Sequence, residues 1–131
     1  MPTLFTKIVK GEIPCHKIAE DENYLAFLDI RTINPGHTLV ITKKEVDYIF
    51  DMDDDHLSGL MVFAKKVAGM IKAAVPCPKV GIMVAGLEVP HAHIHLIPIN
   101  SVKDLNFSLA KQVSNEELAK VAEKIRAVAT V

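Results

Sequence analysis

The 131-residue chain has two cysteines, no tryptophan and an aromatic content of only 5%. Cys15 and Cys77 cannot make a disulfide framework, and neither sits in a Cys-x-x-Cys pair. Extracellular stapling and paired-thiol redox or zinc motifs are therefore excluded, and both side chains are expected to be small, buried and reduced. Charge of one sign is also lacking. The net charge is −1, and the basic residues are scattered, with no tract beyond Lys43-Lys44 or Lys65-Lys66. No global field favours nucleic acid or anionic lipid, so a phosphate-bearing ligand has to be held by a few aimed donors. No apolar run approaches the roughly 20 residues that span a bilayer. The opening "MPTLFTKIVKGEIP" has no basic region followed by an apolar core, so a secretory signal is not expected. A cytoplasmic protein without membrane or nucleic-acid partners is the expectation.

Half of the chain is hydrophobic and 24% is charged, enough for one core without staples. With no repeat, low-complexity tract or Gly/Ser-rich linker, residues 1–131 read as one domain. Leu4 to Lys10 predicts a short helix stopped by Gly11 and Pro14. "HKIAED" and "YLAFLD", joined by Asp21-Glu22-Asn23, read as a hairpin, and Pro35-Gly36 as a turn before the strand "TLVIT". From His56 to Val75 the period changes: Leu57, Leu60, Met61, Ala64, Val67, Ala68 and Ile71 mark an amphipathic helix. An aspartate among Asp53 to Asp55 caps it and Pro76 ends it. "VGIMVAG" and "HAHIHLIPI" are two further strands, turned near Gly86 to Pro90. A last helix runs from Ser114 to Ala129, with Glu117 placed for a capping box. Four or five hairpin-joined strands with one long helical excursion predict an α+β fold with an antiparallel sheet.

Six histidines are present, and three fall at His91, His93 and His95 in "VPHAHIHLIP". In a strand these positions share one face, while Ala92, Ile94 and Leu96 point the other way. Three uses compete. A metal is one, but at about 3.3 Å per residue the outer two lie roughly 13 Å apart, so at most two share an ion. No glutamate follows in "LIPINSV" to complete such a set. Covalent catalysis at phosphorus is another: a neutral imidazole is a competent nucleophile if its far nitrogen donates to a fixed acceptor. The flanked central ring, His93, is then the nucleophile. An exposed strand face carrying surface histidines is the third, and it suits a lone histidine better than three in register. His16 and His56 are expected at the surface.

"HAHIHLI" resembles the signature of the histidine-triad (HIT) superfamily. "KIVKGEIP", "AFLDI" and "NPGHTLVITKKEV" resemble the N-terminal half of its Hint-like branch, and "SNEELAKVAEKIRAV" the C-terminal helix of bacterial members. The resemblance implies an antiparallel sheet of about five strands with a long and a C-terminal helix, the sheet continuing across a homodimer. It implies hydrolysis or transfer at the α-phosphate of a purine nucleotide such as an AMP conjugate, through a nucleotidyl-histidine, with neither metal nor cofactor. Carried over, His93 is the nucleophile, His95 contacts the scissile phosphate and helps the leaving group, and His91 and His37 support His93 by hydrogen bonding. Asp29 holds the ribose hydroxyls. Phe27 and Ile30 line the base pocket, with Ile8 and Phe5 beside them.

Two departures follow from the same resemblance. Thr3 and Thr6 stand where many members carry half of a structural zinc site, and Glu45 where such members often have histidine, so this zinc site is expected to be absent. In "VAGLEVPH", Leu87 and Glu88 interrupt the family's Ala-Gly-Gln-x-Val-x-His approach to the triad. Glu88 either points outward or turns selectivity toward leaving groups that bear an amine. The leading expectation is a nucleoside phosphoramidase-like hydrolase. Dinucleoside polyphosphate hydrolysis and a nucleotide-binding scaffold with incidental catalysis are the alternatives.

Overall fold

The computed structural model describes residues 2–128. Its elements are α1 (Leu4–Val9), β1 (Lys17–Glu20), β2 (Tyr24–Leu28), β3 (Arg31–Thr32), β4 (Thr38–Thr42), α2 (Asp54–Ala74), β5 (Lys79–Met83), β6 (His93–Ile99), β7 (Lys111–Gln112) and α3 (Asn115–Val128). Five strands form one antiparallel sheet in the order β1-β2-β4-β6-β5. The short β3 and β7 pair separately. The fold is α+β, as the hairpin pattern predicts. Ala129 of the predicted last helix lies outside the described residues.

Alternation along the central strands gives the sheet two unlike faces. Ala26 of β2, Val40 of β4, and Ile94 and Leu96 of β6 enter one apolar core beneath α2 and α3. Leu25 and Phe27 of β2 and Leu39 and Ile41 of β4 face the other way, where Phe5 of α1 packs on them. β2 and β4 are buried on both sides, which is why neither carries a charged residue or alternates apolar with charged ones.

Asp53 caps α2 by accepting the His56 N–H at 2.7 Å. The buried stripe of α2 runs through Leu60, Phe63, Ala64, Val67 and Ile71. Met61, expected on that stripe, is 44% exposed, because it lies about 100° round the helix from Leu60. Phe63 takes the apolar position instead and stacks on Tyr24, ring centroids 5.7 Å apart. α3 buries Leu118, Ala122 and Ile125 at helical spacing, and Ser114 Oγ accepts the Glu117 N–H.

Gly36 has φ +97, and a Cβ there would meet Val75 at 3.1 Å and Pro98 at 3.3 Å. The tight turn therefore brings the start of β4 against the end of β6. Contrary to expectation, Cys15 and Cys77 are only half-buried. Both lie in loops; Cys15 packs at the edge of the apolar cluster around Phe5 and Phe27, and its partial burial pushes the thiol above its ordinary range.

Candidate active site

β6 begins at His93; His91 and Ala92 lie in the bend that precedes it. The parity prediction nevertheless holds. Ala92, Ile94 and Leu96 enter the helix-covered core, while the rings of His91 and His93 both meet Phe5 on the opposite face. The rings of His93 and His95 lie 5.0 Å apart.

Hydrogen bonds to backbone groups, whose direction is fixed, assign the proton on each ring. His93 Nδ1 lies 2.7 Å from the His91 carbonyl. A carbonyl only accepts, so Nδ1 carries the proton and the neutral ring keeps its lone pair on Nε2. His37 is set the opposite way: the Ile33 N–H donates to its Nδ1 at 3.1 Å. His37 Nε2 therefore holds the proton and donates to His95 Nδ1 at 2.9 Å. That leaves the His95 proton on Nε2. One ring offers a lone pair and its neighbour an N–H.

Burial keeps this relay neutral, holding His37 down to about 4. Burial, then the His37 and His93 rings beside it, holds His95 down to about 3. The 3.7 Å approach of His37 Nε2 to Asp29 Oδ2 is therefore dipolar rather than an ion pair. Asp29 Oδ1 accepts the Arg31 N–H at 3.1 Å, and burial raises its carboxyl above the usual carboxylate range. Asn34 Nδ2 donates to the Pro98 carbonyl at 2.8 Å, tying the Pro35-Gly36 turn to β6 and so His37 to His95.

A cavity of about 850 Å³ opens over these groups, within the range that encloses a small-molecule ligand. His93, His95, His37 and Asp29 line it, with Phe27, Ile30 and Ile8 among its apolar lining, Phe5 packed edge-on to Phe27, and Glu88 exposed at the surface. His91 makes its expected hydrogen bond to His93 from the backbone, and the contact expected of His37 is corrected. His91 is fully buried behind the wall, its Nε2 bonded to the Thr42 carbonyl and its Nδ1 to Thr3 Oγ1, each at 2.7 Å. It supports His93 through its carbonyl and not its ring. His37 supports His95 rather than His93, because both its nitrogens are engaged as described.

Other lining residues escaped the sequence reading. His16, expected at the surface, is half-buried in the wall with Nε2 3.4 Å from Asn115 Oδ1. Phe107 rests on His95 with ring centroids 4.7 Å apart. Phe107 comes from a segment without periodicity, and nothing in its neighbours marks it. His56 is half-buried as well, its ring 5.4 Å from that of Tyr24.

Asp29, His37 and His95 offer three ligand atoms within 4.8 Å of one another. They fit a metal poorly. Two nitrogens on one tetrahedral zinc lie roughly 3.3 Å apart, whereas His37 Nε2 and His95 Nδ1 stand at 2.9 Å and share a proton. Freeing His37 Nε2 for an ion would move its proton to Nδ1, against the Ile33 N–H.

The family model described as the HIT domain matches residues 10–102. The chain belongs to the HIT family. It is 41% identical over 105 residues to a HIT-like protein of Methanocaldococcus jannaschii, covering 72% of this chain and 77% of that one. To a protein of Schizosaccharomyces pombe named adenosine 5'-monophosphoramidase it is 38% identical over 103 residues, covering 75% and 74%. The crystal structure of a HIT-like protein of Bartonella henselae involved in cell-cycle regulation matches with a TM-score of 0.85 at 32% identity, covering 96% of this chain and 95% of that one. In this HIT fold the triad motif lies on β6 and the bend before it, and His37 completes the constellation from β4's approach. Among the described residues no helix is long and apolar enough to cross a membrane.

Proposed function

We propose that this HIT protein hydrolyses a purine nucleoside phosphoramidate, such as an AMP conjugate, through a nucleotidyl-His93 intermediate. The observation that carries the reading is the opposed polarity of adjacent rings: a lone pair on His93 Nε2 beside an N–H on His95 Nε2. His93 Nε2 forms a bond to the α-phosphorus as the phosphorus–nitrogen bond breaks. That bond's electron pair goes to the nitrogen, which takes a proton from water and departs as the amine. His95 Nε2–H holds a phosphoryl oxygen throughout as a neutral donor, since burial and the His37 relay both oppose its protonation. Water then attacks phosphorus, the pair returns to His93 Nε2, and the nucleotide leaves with the water's proton lost to solvent.

Asp29 receives the ribose hydroxyls on its carboxylate. Phe27, Ile30, Ile8 and Phe5 flank the base. The phosphoramidase name of the S. pombe relative supports this substrate class. The charge of the lining supports it over a dinucleoside polyphosphate: Asp29 and Glu88 are matched by one cationic side chain, Arg31, which donates to the Ala110 carbonyl. A second copy of the chain adds to the sheet at the outer edge of β5, where Ile82 and Val84 are exposed. A cytoplasmic site of action accords with two unpaired cysteines.

The test is incubation with AMP-morpholidate. Wild type should release AMP, and His93→Ala should bind AMP without turnover. Tight AMP binding with undetectable wild-type turnover would favour a binding module instead.

A further inference from the structure

The bend that carries His91 precedes the β4–β6 ladder, whose pairing begins at His93 opposite Ile41. Its backbone therefore needs other anchors. Ala92 N–H donates to the Val46 carbonyl at 2.6 Å, and the buried His91 ring is gripped at both nitrogens. Because the Thr42 carbonyl takes the Nε2 proton, Nδ1 accepts from Thr3 Oγ1. Thr3 is held in turn: its N–H donates to Glu45 Oε1 at 2.7 Å, and its hydroxyl caps α1 by accepting the Thr6 N–H at 3.0 Å. Thr6 Oγ1 donates to the same Glu45 oxygen at 2.7 Å and lies 3.4 Å from His91 Nδ1.

These are the positions at which the family resemblance raises a structural zinc. The residues present do not fit one. Zinc needs deprotonated or neutral lone-pair ligands at about 2.0–2.3 Å, whereas two neutral hydroxyls, a carboxylate and an imidazole are bonded directly to each other here.

We propose that Thr3, Thr6 and Glu45 form a hydrogen-bonded clasp that positions the nucleophile. The clasp fixes the His91 ring, the ring fixes the bend, and the His91 carbonyl fixes the tautomer and orientation of His93. It also joins two functions of α1, since Phe5, on the first turn that Thr3 caps, lies edge-on to His93 at 5.0 Å and forms the cavity wall. Thr3, Thr6 and Glu45 are positioning residues: none of them is among the cavity's lining.

This inference rests on His93 as the nucleophile, so its test has a readout that needs no substrate. Nitrogen-15 NMR reports which ring nitrogen of His93 carries the proton in wild type, Thr3→Val, Thr3→Ser and Glu45→Ala. In Thr3→Val, His93 should lose its single Nδ1–H tautomer. Its kcat toward AMP-morpholidate should fall about tenfold, the worth of one well-placed hydrogen bond, with KM within about twofold. Thr3→Ser should restore both. Glu45→Ala, altered at an exposed residue and so tolerated in folding, should show the same tautomer change with a smaller fall. An unchanged His93 tautomer in Thr3→Val and Glu45→Ala would overturn the clasp, as would failure of Thr3→Ser to rescue, or a loss confined to KM. If Thr3→Val does not fold, Glu45→Ala decides. Absent wild-type turnover would overturn the phosphoramidase reading alone and leave the tautomer result standing.

Discussion

The strand β6 has two faces that differ in everything except their backbone. On one, Ile94 and Leu96 are sealed beneath α2 and α3 among apolar neighbours. On the other, imidazoles within the same few residues are nearly as buried, His93 at 7% and His95 at 8% exposure, yet border a cavity. The first face contributes stability by removing carbon from water. The second contributes directed lone pairs and protons, and burying its rings is tolerable because the His91 carbonyl satisfies His93 Nδ1 and the His37 ring satisfies His95 Nδ1. A strand separates the two duties by parity alone, so chemistry and stability can be altered at adjacent positions with little crosstalk.

That separation can be broken on purpose. His93→Ala should reduce turnover roughly 10⁴-fold, as loss of a nucleophile does. The same change should cost less than about 1.5 kcal/mol of stability in urea titration, because it removes one hydrogen bond to the His91 carbonyl. One residue on, Ile94→Ala should do the reverse. It should cost about 2–5 kcal/mol by opening a cavity in a site with no exposure, while the folded fraction keeps its specific activity.

His37→Phe blurs the two faces. It fills the buried volume but strands the Ile33 N–H and removes the donor to His95 Nδ1. Turnover should fall roughly 10- to 100-fold because His95 Nε2–H is no longer enforced, with a stability loss of about 1–3 kcal/mol from the unsatisfied amide. Histidine NMR on this variant should show the His95 proton distributed over both nitrogens. A single retained tautomer would remove His37 from the relay.

The smallest effect is the response to acid. His37 and His95 should remain neutral through pH 5 in an NMR titration, since they are held at about 4 and about 3. Unfolded, each binds a proton near 6.5, so the unfolded state holds more protons between that value and the folded one. Stability should therefore fall as pH drops from about 6.5 toward 4. His37→Phe should lessen that slope, measurable as thermal midpoints at a series of pH values.

Much of this was readable beforehand, and for a common reason. "TLVIT" is strand from its first residue to its last. Asp53 caps the helix whose period announces it, and Ser114 caps the last one. The parity of "HAHIHL" correctly assigned Ala92, Ile94 and Leu96 to the core. The two-residue strands β3 and β7 were not readable, since each exists only by pairing with the other. Met61 and Phe63 were exchanged because several apolar side chains compete for one helical stripe, and packing against Tyr24 selects between them.

Periodicity, a property of neighbours along the chain, was sufficient for the types of the longer elements and the inward and outward faces of β6, while Asp29, His37 and Phe27 were expected at the site only through the family resemblance. The direction of every proton at the site was a different matter. It rests partly on contacts between segments far apart in sequence, His37 with His95 and Thr42, Thr3 and Glu45 around His91, and partly on local backbone that only the fold bends into place, Ile33 at His37 and the His91 carbonyl at His93. An imidazole has two ways to hold one proton, and the identity of its flanking residues does not choose between them. Folding chooses, by setting an N–H or a carbonyl of fixed polarity against one nitrogen and leaving the other to face the cavity.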